Sequence, residues 1–542
     1  MLFAKKLLSP DLLLLVRNIA FALLVVFAAQ WLMKRKRYIE ACDQLPGPTL
    51  KGFSPWLAHV EAYARTVGTV PGYPGIPRSV QVIDDFIKNW GEQGLFRLWF
   101  FHPYRLPFAR AAVIIVDPYL VRQFLTQKDI TDRIVKEKRT YKIAAPILGG
   151  SFLALPDGAR WKHQRKMVAR GFNQDFLELT NTVLVELLYE QAFPEIDRTL
   201  EQASTSALNV LEWNTRVTSE TLGKVAFSYS FGSFSQTEST TTKNAPSLYE
   251  TYHFILYVLS KRTRSPPFAS MLRFKENREF DEKIRFLDSV VDKVMKKRVQ
   301  EHRHAATPSN GNKRHRDLLS YMICDEDGLS YQELRANMKM FMFAGQDTTS
   351  SALSFAFGQL AYDLGRQEKL RHEIDALFDA LPDNRQPEYK DVMSLKYLDA
   401  VARETLRLYS AGVVGRTTVE DCVLKNEGGK IFVIPANVSV YIFPFINSKW
   451  TNGVSERLHE WIPERFMEDS KIQEDWMAFS VGPRNCVGQP LAMAEFKIVL
   501  CHMLRRYTLK RSSEMEEDPI PIILMVLKPH KMTIEISKRI IQ

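Results

Sequence analysis

Cysteine is scarce in this chain. Five occur in 542 residues, at positions 42, 324, 422, 486 and 501, odd in number and widely scattered. Such spacing builds no disulfide framework and places the body in a reducing compartment. No Cys or His run has the intervals of a zinc finger, and no Lys/Arg stripe is interleaved with aromatics. The formal charge of +11 is therefore not a nucleic-acid footprint. A basic surface facing anionic lipid or an acidic protein explains it more simply. Neither a G-x-G-x-x-G fingerprint nor a flavin-binding segment is present, so redox chemistry on this chain takes its electrons from a separate protein. No period of about twenty to fifty residues stands out, which disfavours solenoids and propellers. The composition, 45% hydrophobic, still supports a large core, either as one big domain or as two lobes around a cofactor.

The one long apolar run lies at the start. Residues 12–33 are nearly continuous in hydrophobicity, interrupted by Arg17 and Asn18, and are long enough to cross a bilayer as a helix. Arg17 snorkels to one interface and Trp31 sits where an interfacial aromatic belongs. Lys34-Arg-Lys-Arg37 outnumbers Lys5 and Lys6 on the other side, so the positive-inside rule makes residues 1–11 luminal and the C-terminal body cytosolic. The competing reading, a cleaved signal peptide, suits neither the length nor the basic cluster that follows. Leu45-Pro46-Gly47-Pro48 is incompatible with helix, and residues 34–48 read as a basic, proline-containing hinge before a body at 49–542.

The body is organised around Phe479-Ser-Val-Gly482-Pro-Arg484-Asn-Cys486-Val-Gly488. A thiolate that binds a metal needs a sharply turned backbone, N–H groups aimed at sulfur and dry surroundings. Gly482 and Gly488 permit the turn through left-handed dihedrals, and a helix starting just after Cys486 aims its positive end at the sulfur. A buried structural cysteine is the bland alternative. Five matched positions in ten residues argue against it, because the pattern F-x-x-G-x-R-x-C-x-G resembles the haem-ligand loop of the cytochrome P450 family.

That resemblance extends from Pro46 onward through five motifs in the expected order. It implies haem b with Cys486 as the axial thiolate ligand, and places Phe479 and Gly488 of the same loop beside the cofactor. Trp161 and Arg165, four apart on one helical face, look like the pair that bonds a haem propionate. Arg484 and Arg416 are similar to two further propionate arginines. The other bases on the Trp161 helix face outward toward an acidic reductase. Residues 330–364 form one long apolar helix carrying Ala344-Gly345-Gln346-Asp347-Thr348-Thr349-Ser350. Polar residues there are costly, and the motif resembles the family's oxygen-activating segment, locally widened to hold dioxygen and water. Thr348 then serves O–O cleavage and Asp347 links it to bulk protons. Glu404, Arg407 and Arg465 match a structural triad behind the haem. Two departures stand out: Ser410-Ala411 replaces the usual Pro-Pro, and Asn447-Ser-Lys-Trp450 the usual His-Arg-Asp-Pro. The fatty-acid hydroxylase branch often carries glutamate where Ala344 stands, so alanine argues against a covalent haem link and against that substrate class.

The implied fold is mostly α with small β-sheets, a large helical lobe plus a smaller β-rich lobe, and an N-terminal transmembrane helix. The implied activity is monooxygenation of a lipophilic molecule, a terpenoid or polyketide intermediate of secondary metabolism. The protein is expected at the endoplasmic reticulum membrane as a single-pass protein. Its electron partners are NADPH–cytochrome P450 reductase and, as a second donor, cytochrome b5. Alternatives from the same residues are a haem-thiolate isomerase or dehydratase, a fatty-acid hydroxylase, or a non-catalytic haem sensor. The polar stretch 302–317 reads as an exposed loop rather than a histidine metal site.

Overall fold

The computed structural model describes residues 10–48, 79–99, 111–234, 248–264, 273–304, 317–323, 328–449, 457–468, 470–513, 515 and 521–539. Most of the stretch expected as a loop at 302–317 lies outside them.

The helices that matter for the site follow in chain order: α1 (Pro10–Asp43), α2 (Ser79–Trp90), α3 (Pro118–Thr126), α4 (Ala159–Gly171), α5 (Val210–Phe227), α6 (Leu248–Arg264), α7 (Tyr331–Tyr362), α8 (Lys396–Tyr409) and α9 (Gln489–Arg506). Local chemistry sets their starts. The Asp117 carboxylate accepts from Tyr119 N–H ahead of Pro118, and Ser330 with Glu333 forms a reciprocal capping box for α7. The periodic stretch before Tyr409 is two helices, because the chain leaves helical geometry at Leu395 and re-enters at Lys396.

Among the described residues, twelve strands make four small sheets. β1 (Leu95–Trp99), β2 (Ala111–Ile115), β3 (Ile134–Lys136), β5 (Val414–Thr418) and β8 (Ser439–Ile442) form a five-stranded sheet in the order β1-β2-β8-β5-β3. Only β2–β8 is parallel in it. β4 (Ser206–Asn209), β9 (Tyr507–Arg511) and β12 (Thr533–Lys538) form a second sheet, and β6 (Cys422–Lys425) pairs with β7 (Ile431–Ile434). The last pair, β10 (Pro521–Leu524) and β11 (Val526–Pro529), turns through Met525 at φ +63°.

Two hydrophobic cores result. The larger is helical and has α7 through its middle, packed on α5, α8 and α9. The smaller lies under the five-stranded sheet and the β6–β7 hairpin, and it includes Ile39, Cys42 and Leu45. α1 therefore does not stop at the basic run. Residues 34–43 contain neither Gly nor Pro and are mostly good helix formers, so the helix continues to Asp43 and the break falls at Leu45–Pro48. Its far end docks on the sheet. Tyr38 Oη accepts from Ala111 N–H at 3.2 Å, and Asp43 pairs with buried Arg97 at 3.3 Å and accepts from Trp99 Nε1 at 3.3 Å. By contrast, side chains from Ile19 to Met33 are exposed. Among the described residues α1 is the one helix long and apolar enough to cross a membrane.

Candidate active site

The Cys486 loop closes on itself before α9 begins. Cys486 N–H donates to Phe479 O at 3.0 Å and Asn485 N–H to Gly482 O at 3.1 Å. The sulfur accepts from the backbone N–H groups of Gly488 and Gln489. Burial pushes the thiol up in pKa, while those N–H groups and the Arg165 guanidinium pull it down. The side chain nevertheless retains solvent-accessible surface. A sulfur both deep and accessible sits at the floor of an internal cleft.

The two glycines do different jobs. Gly482 has φ +79°, and a Cβ there would lie 2.3 Å from Leu125 O. Gly488 has φ −84°, so no left-handed turn needs it. A Cβ at Gly488 would lie 3.9 Å from the Cys486 sulfur, in the space beside that atom. Phe479 packs edge-on against Trp476, with centroids 5.7 Å apart.

A cluster of positive charge lies near this loop. Arg416 on β5 is the register partner of Lys136 on β3. Burial, then Arg416 and Arg484, depress the Lys136 ammonium well below its ordinary range. Its nearest recorded acceptor is Tyr141 Oη at 3.2 Å. Arg416 is buried and donates to its neighbour's carbonyl, Gly415 O, at 3.0 Å. Arg484 stacks 3.9 Å over the Trp161 ring, pairs with Asp157 at 2.6 Å and donates to Phe152 O and Leu155 O. Trp161 is buried and its Nε1 has no partner among the described residues. Arg165 donates to Asn485 O at 2.9 Å and also reaches the Asn485 side chain, which ties α4 to the Cys loop. Four cations outnumber the carboxylates of Asp157 and Glu137, and with the indole N–H they suit the two carboxylates of a haem. Together with the accessible sulfur, the residues fit the cofactor. Lys136 and Tyr141 escaped sequence reading because they lie in no motif, and Asn485 because it fills an unspecified position of the Cys loop pattern.

α7 presents Ala344, Gly345 and Thr348 as half-exposed positions within an otherwise buried stretch. The helix is α-helical throughout. Gly345 admits α5, since a Cβ there would crowd Leu222 at 3.2 Å. Thr348 Oγ1 donates to Ala344 O at 2.7 Å. Asp347 is buried; its Oδ1 is ion-paired with Lys528 Nζ of β11, and its Oδ2 has no partner among the described residues. Next to Thr348, Thr349 hydrogen-bonds to Glu495 of α9, a fully buried carboxyl pushed up to about 8 by desolvation. This bond joins the helix that follows Cys486 to the helix carrying Thr348.

Behind the site the triad is assembled. Arg407 holds the buried Glu404 carboxylate through two bonds, at 2.6 and 2.9 Å, Ile462 N–H adds a third at 2.8 Å, and Arg465 lies at 3.6 Å. Asn447, at the unusual position, donates to both Ile115 O and Val116 O at 2.9 Å and so caps the end of β2. Ser448 Oγ donates to Arg407 O.

The cytochrome P450 family model matches residues 104–535. The chain belongs to the cytochrome P450 family. As a member it is a haem-thiolate monooxygenase. Similar proteins include cytochrome P450 4d1 of Drosophila melanogaster, 25% identical over 513 residues (92% of this chain, 93% of that one). Cytochrome P450 4V2 of Mus musculus is 28% identical over 396 residues (70% and 71%). A ganoderic acid synthetase of Ganoderma lucidum is 28% identical over 414 residues (68% and 74%).

Proposed function

We propose that this P450 is membrane-anchored through α1, faces the cytosol, and oxygenates a lipophilic intermediate of specialised metabolism, a terpenoid or polyketide. The observation that carries the site assignment is the accessible, N–H-flanked sulfur of Cys486 beside a cation cluster short of anions. Cys486 holds the iron, and Trp161, Arg416 and Arg484 hold the propionates with help from Lys136. Arg165 acts from one step back, fixing Asn485 and biasing the sulfur toward thiolate. Phe479 and Gly488 wall the proximal side. Bound haem supplies dioxygen activation, with the thiolate pushing electron density toward O–O cleavage.

Around that chemistry the chain manages protons and water. Thr348, on the half-exposed strip of α7, presents a hydroxyl whose hydrogen is parked on Ala344 O. Rotating it frees a donor at the cleft without unfolding the helix. Asp347, one residue away, supplies protons from the buried side. Exposed Lys162 and Lys166 on α4 complement an acidic electron donor such as NADPH–cytochrome P450 reductase or cytochrome b5. The exposed apolar run of α1, with Lys34–Arg37 at its inner end, supports single-pass insertion in the endoplasmic reticulum membrane. The name of the Ganoderma relative supports the substrate class, as does alanine at position 344.

Full-length protein in lipid, given reductase, NADPH and a pool of terpenoids, polyketides and fatty acids, is expected to oxygenate the first or second group. A normal ferrous–CO spectrum with no product from any pool would overturn the monooxygenase reading of this site. Cys486→Ala should abolish the thiolate-type spectrum; its retention would refute the ligand assignment.

A further inference from the structure

Asp347 stands in a polar pocket assembled by three separate parts of the chain. α7 supplies the carboxylate and β11 supplies Lys528; both are buried, at 4% exposure each. α6 supplies Tyr252 and His253. Tyr252 is buried with no recorded partner for its hydroxyl and feels the Asp347 charge; His253 feels that of Lys528. On the α9 side Glu495 is held by Thr349, two residues along α7 from Asp347. Lys528 is therefore the only cation recorded against Asp347 among the described residues.

Its placement is not incidental. The β10–β11 hairpin is pinned twice: Leu527 N–H donates to Ala411 O at 3.0 Å, and Ser260 Oγ donates to Ile523 O at 3.1 Å. Leu527 immediately precedes Lys528, so the backbone from which the ammonium reaches Asp347 is held in place by the bond to Ala411. A carboxylate removed from water protonates unless a counter-charge holds it ionised. Here Oδ1 has that counter-charge and Oδ2 has no partner among the described residues.

We infer that Lys528 is a positioning residue for the reaction: it keeps Asp347 ionised and aimed, so that Asp347 waits as a proton acceptor whose free oxygen collects each proton before passing it toward Thr348. The inference rests on Asp347 being the proton supplier. In this arrangement the β10–β11 hairpin sets the proton affinity of the acid, and a change in that hairpin reaches proton delivery without touching Thr348.

The test uses full-length, haem-loaded protein. Lys528→Met removes the charge and keeps the stem, and Lys528→Gln serves if the first variant does not load haem; Lys528→Arg retains the charge. Infrared difference spectra between acid and neutral pH should show a new protonated-carboxyl stretch at neutral pH in Lys528→Met. It should be absent in wild type and Lys528→Arg, and lost again in the Lys528→Met/Asp347→Asn double variant. Removing the counter-charge raises the carboxyl pKa, so the rising limb of product formed per NADPH against pH should move to higher pH. At neutral pH the ratio should fall on the order of tenfold, with Lys528→Arg near wild type. Absence of the new band in a loaded Lys528→Met protein overturns the inference. A band present, with Asp347→Asn as well coupled as wild type, instead overturns the role of Asp347 in proton supply.

Discussion

At the residue scale, several side chains are set by burial against one partner. Glu495 shows the sign most plainly. Its folded-state pKa is raised to about 8 from an ordinary 4.5, so between those values the unfolded chain gives up a proton that the folded chain keeps. Stability contributed by the neutral carboxyl is full below about pH 4.5 and is lost as pH rises toward 8. Glu495→Gln keeps an acceptor for Thr349 and cannot ionise. Its melting temperature relative to wild type is expected to rise steadily from pH 5 to pH 8. A gap that does not change with pH would show that Glu495 is not held neutral.

At the scale of elements, the Cys loop and α8 carry the argument. Gly482→Ala forces a Cβ to within 2.3 Å of Leu125 O at a positive φ, so the loop must move away from α3. Haem content on purification is expected to fall severely. Gly488→Ala meets only ordinary contact at 3.9 Å with φ −84° and should load haem, with a shifted Soret band as the sign of a methyl beside sulfur. Equal loss in both would contradict this division of labour. Glu404→Ala strands buried Arg407, which costs about 3–5 kcal/mol, and should yield haem-free or insoluble protein by absorbance.

For the whole molecule, the docked end of α1 is part of the smaller core under the sheet. A truncated chain starting at Lys34 keeps Ile39, Cys42 and Leu45 in the small core and Asp43 on Arg97. A chain starting at residue 49 loses all of them and leaves Arg97 buried without its carboxylate. At about 1.5–3 kcal/mol per buried apolar side chain, the second truncation should melt well below the first in thermal denaturation. Equal melting temperatures would mean that the docked end of α1 contributes nothing.

Much of the site could be read along the chain wherever chemistry depends on neighbours close in sequence. The Cys486 loop, the Asp347-Thr348 pair and the Glu404–Arg407 turn are short because a loop, a helix face and a helical turn are local geometries. Even so, local reasoning assigned Gly488 a left-handed turn it does not make, and did not foresee that Gly345 admits Leu222. What no local pattern reveals is which distant strand meets which helix. Lys528 reaches Asp347 across 181 residues, Lys136 meets Arg416 only through strand register, and Arg165 finds Asn485 across 320. The sequence by itself determined the family, the Cys486 loop pattern and the membrane-length helix, because those rest on residue type and short spacing. Only the tertiary structure decided the counter-ion of the acid, the makeup of the cation cluster and the continuity of α1 with the sheet, because each depends on burial, and burial is set by contacts between remote parts of the chain.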